Sequence, residues 1–202
     1  MTIEVIVEKK PVPYKKAMKY LEKRVEMLKN GKNEELIWIL EHPVTYTAGV
    51  TFNKKDILEK INLIKTNRGG KITVHSPGQK IIYFALNLNS RKKDIRNLIR
   101  KVEKSIITFL KIYNVKGFAD KKNIGVWVKG KKIAAIGIRV SKWIAFHGCS
   151  INIKNDLTLY KKINPCGLNN NLITNLENES ENKIEFIEKN LKKIFKKVLE
   201  NI

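Results

Sequence analysis

Apolar residues recur along this chain with two different periods, and the switches between them mark out its elements. Over residues 14–30, Met18, Leu21, Val25 and Leu28 fall on one helical face, and Gly31 suits the position just past a helix C-terminus. The run Glu35-Leu36-Ile37-Trp38-Ile39-Leu40 is short and almost uniformly apolar, so it reads as a buried strand. His42-Pro43 ends it, because the residue before a proline is biased to extended backbone. Strands are expected at 62–66 and 71–75 around an Arg68-Gly69-Gly70 turn, and again at 80–88. Residues 94–113 carry the clearest helical stripe: Ile95, Leu98, Ile99, Val102, Ile106, Leu110 and Tyr113. A hairpin follows, 124–128 with 133–140 around Lys129-Gly130-Lys131-Lys132, and 143–153 continues the sheet. The tail at 181–202 reads as a basic amphipathic helix with Ile184, Ile187, Leu191, Ile194, Val198 and Leu199 inward. Such a pattern also occurs at membrane surfaces, but a packed terminal helix is the reading adopted.

Helices interspersed with hairpins argue against a purely parallel, doubly wound sheet. The expected class is α/β or α+β, with a mixed β-sheet flanked by helices. The chain has 202 residues, no internal repeat and no Pro- or Ser-rich linker, which fits one domain over 1–202. No apolar run approaches the ~20 residues of a membrane span. The opening residues lack the basic-then-apolar order of a signal peptide, so a cytoplasm (or an organelle matrix) is the expected location. Two cysteines, Cys149 and Cys166, fit a reducing compartment better than a disulfide scaffold.

Charge changes the picture less than its size promises. The formal net charge is +22, which raises nucleic-acid binding as a function class. Of 41 basic residues, however, only six are arginine, the residue that reads bases and grips phosphate bidentately. Much of the excess reads as solvated lysine. Its functional part is a long-range attraction for acidic partners.

Three segments carry candidate chemistry. Asn164-Pro165-Cys166-Gly167 displays a thiol between a rigid residue and an open one, as a nucleophile needs. Arg68-Gly69-Gly70-Lys71-Ile72-Thr73-Val74-His75 places two glycines where backbone N–H groups can face an anion or carbonyl, although an ordinary turn with a structural histidine has the same pattern. Lys132 opens the apolar strand Ile133-Ala134-Ala135-Ile136-Gly137. Desolvated there it is a base, charged it stabilises a thiolate, and by periodicity alone it is one more surface lysine. His147 and Cys149, two apart, face the same side of a regular strand. With His75 and Cys166 they make a conceivable but scattered zinc set. Cys149 itself reads as a small buried hydrophobe. No Walker or Gly-x-Gly-x-x-Gly pattern supports nucleotide use.

Taken in order, the segment from Arg68 to His75, Pro77-Gly78-Gln79, Lys132-Ile133-Ala134-Ala135-Ile136-Gly137, His147-Gly148 and Asn164-Pro165-Cys166-Gly167 resemble the octanoyltransferases of lipoate biosynthesis. The resemblance implies the fold of the biotin/lipoate protein ligase catalytic domain. It implies transfer of an octanoyl group from octanoyl-acyl carrier protein, through a Cys166 thioester, to a lysine of an acceptor, the first step of endogenous protein lipoylation. The acceptors are lipoyl domains of 2-oxoacid dehydrogenases and the glycine cleavage H protein. Cys166 and Lys132 would be catalytic, with Lys132 lowering the thiol pKa. Arg68, Gly69, Gly70, Lys71, Ile72, Thr73, Val74, His75, Ala135, Ile136, Gly137, Gly148, Cys149 and Ser150 would line the acyl site. From the sequence itself no metal, cofactor, nucleic acid or membrane is expected, and nothing in it suggests an obligate oligomer, so a monomer is expected. Ser76 and Ser150 stand where the family usually has glycine and alanine. An ATP-dependent lipoate-protein ligase of the same fold is the nearest rival, and it lacks the need for a cysteine in a Pro-Cys-Gly turn.

Overall fold

Residues 3–32, 35–120, 123–165 and 172–202 are described by a computed structural model. In chain order they form β1 (Ile3–Val7), α1 (Tyr14–Lys29), β2 (Glu35–Leu40), β3 (Thr45–Ala48), β4 (Leu63–Lys65), β5 (Ile72–His75), β6 (Gln79–Asn87) and α2 (Ile95–Lys111). There follow β7 (Phe118–Ala119), β8 (Val126–Val128), β9 (Lys131–Ser141), β10 (Ile144–Asn152), α3 (Leu176–Glu179) and α4 (Ile187–Leu199). The larger sheet has the order β1-β2-β6-β10-β9-β8-β7, with β1 and β2 parallel and the other neighbours antiparallel. A smaller sheet, β4-β3-β5, lies beside it.

The apolar runs of β2 and β6 follow from burial on both faces. Ile37 and Ile39, with Ile82, Phe84 and Leu86, join the core under α2 and α4. The alternate residues Leu36, Trp38 and Leu40, with Ile81, Tyr83 and Ala85, join the core under α1. A period of two therefore looks continuous rather than alternating. Each fully buried leucine or isoleucine contributes about 1.5–3 kcal/mol, so the central strands anchor the sheet on which the site is built. Helix α2 starts where its stripe does, with the Asp94 carboxylate accepting the Asn97 N–H at 2.9 Å.

The strands expected at 62–66 and 71–75 are present as β4 and β5, and β3 lies between them, parallel to β4 and antiparallel to β5, so the Arg68-Gly-Gly segment crosses the end of β3. One expectation is corrected: the terminal helix begins at Ile187, not at 181. Just before it, Glu185 O accepts from Tyr113 Oη at 2.7 Å and Phe186 takes a left-handed φ of +56°, which interrupts helical backbone. Phe195, wholly buried, completes the inward face of this helix. Among the described residues no helix is long and apolar enough to cross a membrane.

Candidate active site

The two sheets meet at the Arg68-Gly69-Gly70 segment. A Cβ on Gly69 would come within 2.8 Å of Ile138 O, so only glycine lets this backbone lie against β9. Arg68 ties the segment to β3: its Nη2 donates to Thr47 O at 2.8 Å and Thr47 Oγ1 at 3.0 Å, and Nη1 to Gly69 O at 3.0 Å. The guanidinium is thus a clamp as well as a wall. The N–H groups of Gly69 and Gly70 donate to nothing among the described residues.

Behind this segment lies a cavity walled by Arg68, Gly69, Gly70, Lys71, Thr73, His75, Ala135, Ile136, Gly137, Gly148, Cys149 and Ser150, together with Ile81, Tyr83 and His147. Ile72 and Val74 are not in the wall. They alternate with Thr73 and His75 along β5 and point into the core of the small sheet, with Tyr46, Tyr160 and Ile163. Cys149 is also a core residue, and burial pushes its thiol pKa up, so it fills space as a neutral thiol. His147 breaks the regular alternation expected of its strand. With φ at +65° it stacks on Phe146 and meets the Tyr83 ring edge-on, on the α1 side of the sheet, while Cys149 packs on the other. The zinc set suggested by sequence is thereby divided. Among the described residues no three His, Cys, Asp or Glu side chains are grouped as metal ligands.

His75, His147 and Tyr83 line this cavity, and His42, the third histidine of the chain, packs against His75 and Tyr83 together with Tyr14. Ring centroids are 5.6 Å apart for His42 and His75, 5.2 Å for Tyr14 and His42, and 5.7 Å for His42 and Tyr83. His42 Nδ1 donates to Val12 O at 2.6 Å, which leaves Nε2 to accept the Tyr83 hydroxyl at 2.9 Å. His75 Nδ1 meets Gln79 Oε1 at 2.7 Å, and His147 Nε2 meets Asn67 Oδ1 at 2.8 Å. Burial lowers the pKa of His42 to about 4 and of His147 to about 4, the latter helped by Arg68 and Arg139. Burial and the neighbouring His42 lower His75 to about 3. The rings are neutral at pH 7, and the cavity interior suits an apolar ligand. None of the signals used above singles out His42, Tyr14 or Tyr83. They reach the site by tertiary packing, from three separate elements.

This cluster has a cost in acid. In the unfolded chain each ring titrates near its ordinary 6.5. Between pH 6.5 and about 4 the unfolded state therefore binds more protons than the folded one, and stability falls as pH falls. At pH 5 the loss is about 1–2 kcal/mol per histidine. Thermal unfolding at pH 7 and pH 5, where carboxylates titrate little, is expected to show a clear drop in midpoint. An unchanged midpoint would contradict the neutral cluster.

Lys132, the second residue of β9, is 6% exposed. Its ammonium lies 5.6 Å from the centroid of the Trp127 ring. Among the described residues it has no carboxylate within ion-pair distance. A bulge lies next to it in β9, where Ile133 is the extra residue between the pairs Lys132–Trp127 and Ala134–Val126. Cys166 and Gly167 lie outside the described residues, but both flanks of their segment sit beside the lysine. Pro165, Lys132 and Ile173 wall one small cavity, with Thr73, Ala135 and Ser150 shared with the larger one. Ile173 bridges to Lys132, and Thr174 N donates to Lys132 O at 3.0 Å.

The arrangement has relatives. Residues 13–197 match the family model described as the lipoyl protein ligase A/B catalytic domain. The octanoyltransferase of Wolbachia sp. subsp. Brugia malayi is 42% identical over 181 residues, covering 87% of this chain and 88% of that protein. That of Bartonella bacilliformis is 45% identical over 180 residues, with 82% and 75% covered. A solved structure of lipoate-protein ligase A bound with ATP aligns over 99% of this chain and 86% of that one, with TM-score 0.82 at 14% identity. At that identity it shows the shared fold, a mixed sheet flanked by helices. Identity above 40% along most of both chains goes further, and on it the chain belongs to the octanoyltransferase family, enzymes within the lipoyl protein ligase A/B catalytic domain class.

Proposed function

We propose that this octanoyltransferase-family enzyme takes an octanoyl group from octanoyl-acyl carrier protein onto Cys166 and passes it to a lysine amine of a lipoyl domain. The observation that carries the reading is Lys132, a largely buried lysine that walls a small cavity with Pro165 and has no carboxylate within ion-pair distance among the described residues. A lysine cation placed there favours an anion beside it, and a thiolate on the residue after Pro165 would be its counter-ion.

The steps balance without a nucleotide. The Cys166 thiolate attacks the thioester carbonyl, and the N–H groups of Gly69 and Gly70 are candidates to hold the oxyanion. As the tetrahedral adduct collapses, the carrier's sulfur leaves and takes a proton from the Lys132 ammonium. The neutral acceptor amine then attacks the Cys166 thioester and gives a proton to neutral Lys132. Cys166 departs as thiolate, an amide is formed, and the ion pair is restored. The octanoyl tail occupies the cavity of neutral histidines. About six buried methylenes there contribute at most ~5 kcal/mol.

The test is intact mass and peptide mapping after incubation with octanoyl-acyl carrier protein. One octanoyl adduct is expected, on Cys166, and Cys149→Ser is expected to keep it. An adduct on Cys149, or octanoylation that needs free octanoate and ATP, would sink the proposal.

Gly125 offers a test through position alone. Its φ is +140°, and a Cβ there would sit 2.5 Å from Ala134 O and 2.6 Å from Lys132 Cε. Gly125→Ala is expected to cost about 2 kcal/mol of stability and to slow acyl transfer at least ten-fold in protein that is still folded. Unimpaired transfer by the folded variant would show that the exact place of Lys132 is unimportant.

A further inference from the structure

The acyl cavity shares a wall with a second space that an octanoyl tail does not use. Between the first turns of α2 and β9 runs a groove of about 610 Å³, walled by Ile95, Ile99, Ile124, Ile136, Ile138 and Val140. Ile95 is 38% and Ile124 46% exposed, and the β9 residues are half-buried. Single exposed aliphatics are ordinary, but a contiguous strip of them along a concave surface marks a binding site. Gly69, Gly70, Lys71, Ile136 and Gly137 line both this groove and the acyl cavity, and Lys132 also borders the groove.

We propose that the groove binds the pantetheinyl arm on which the donor carrier protein presents its acyl thioester. This rests on the thioester reading above. With the tail in the cavity and the carbonyl at Lys132, the rest of the arm must leave by a path that touches both, and the groove does. Aliphatic walls match the arm's methylenes and its geminal methyl groups. Its amides meet polar groups at the inner end, where Lys71 is half-buried and has no ion-pair partner among the described residues. At the start of α2 the exposed Lys92, Lys93 and Arg96 supply positive charge for the phosphodiester that ends the arm. An acceptor lysine reaches the carbonyl on a four-carbon stem and has no use for a groove of this length.

The experiment compares two small donors, S-octanoyl-pantetheine and S-octanoyl-N-acetylcysteamine, which stops after the first amide. Acylation of Cys166 is followed by intact mass. The wild type is expected to prefer the pantetheine thioester by about ten-fold in kcat/KM. The double variant Ile95→Ser/Ile124→Ser, changed at exposed positions, is expected to lose most of that preference. Transfer from preloaded enzyme to a lipoyl domain is measured alongside. Equal use of the two donors by the wild type, or a preference that survives the double variant, overturns the proposal. So does a variant slowed in the transfer half-reaction alone, which would assign the groove to the acceptor. No adduct from either donor removes the thioester reading itself, and the groove with it.

Discussion

Cys166→Ala is expected to abolish the octanoyl adduct and to lower transfer to a lipoyl domain by at least about 10⁴-fold, the scale on which enzymes lose activity with their nucleophile. An effect of this size does not require the thiol to be unusually reactive. Without it the acceptor amine must attack the carrier thioester directly, both partners must be held at once, and Lys132 would have to serve as acid and base within a single adduct. Overall stability should change little, because the substitution removes one sulfur and adds no bulk. Measured by gel shift or mass of the lipoyl domain, transfer by Cys166→Ala above about one-hundredth of the wild-type rate would show that the acyl group does not pass through this residue.

Lys132→Met, which keeps the length and removes the charge, is the second large effect. A cysteine without a cationic neighbour titrates near 8.5, so only about 3% is thiolate at pH 7. That alone slows acylation about 30-fold. Loss of the proton donor and acceptor adds a factor of about 10²–10⁴ to the full reaction. The two contributions separate by pH. Acylation of the variant should climb roughly ten-fold per pH unit up to about pH 8.5 as thiolate forms, while transfer to the amine stays slow. A parallel profile for variant and wild type would remove Lys132 from thiol activation.

The elements and the site differ in how plainly the sequence shows them. The helices at Tyr14–Lys29 and Ile95–Lys111 and the strands at Glu35–Leu40 and Gln79–Asn87 stand out in the sequence because long elements buried on a face, or on both, leave a strong period. β1, β3 and β7 are short, and β3 and β7 leave no usable pattern. Pairing was hidden for a different reason: nothing local in Leu63–Lys65 or Ile72–His75 says that a third strand, Thr45–Ala48, comes between them. At the site, the glycines and the Pro-Cys-Gly sequence are visible as motifs, and most of the cavity wall lies in the segments they mark. Ile72 and Val74 fall out of it by strand alternation, which a motif does not encode. The burial of Lys132 is a tertiary property, and among 35 lysines no spacing rule could have marked it.

The sheet order also bears on how the chain reaches its working form. One side of the cavity comes from β5 and β6 and the other from β9 and β10, and they are joined by pairs as distant in sequence as Ile82 with Cys149. Such pairings must close long loops before any contact repays the lost entropy, which places this topology among the slower folders. The pocket is therefore a late product of synthesis. A ribosome that has finished β6 holds half a wall with its apolar face uncovered, and binding of either substrate must wait until β10 has emerged and docked.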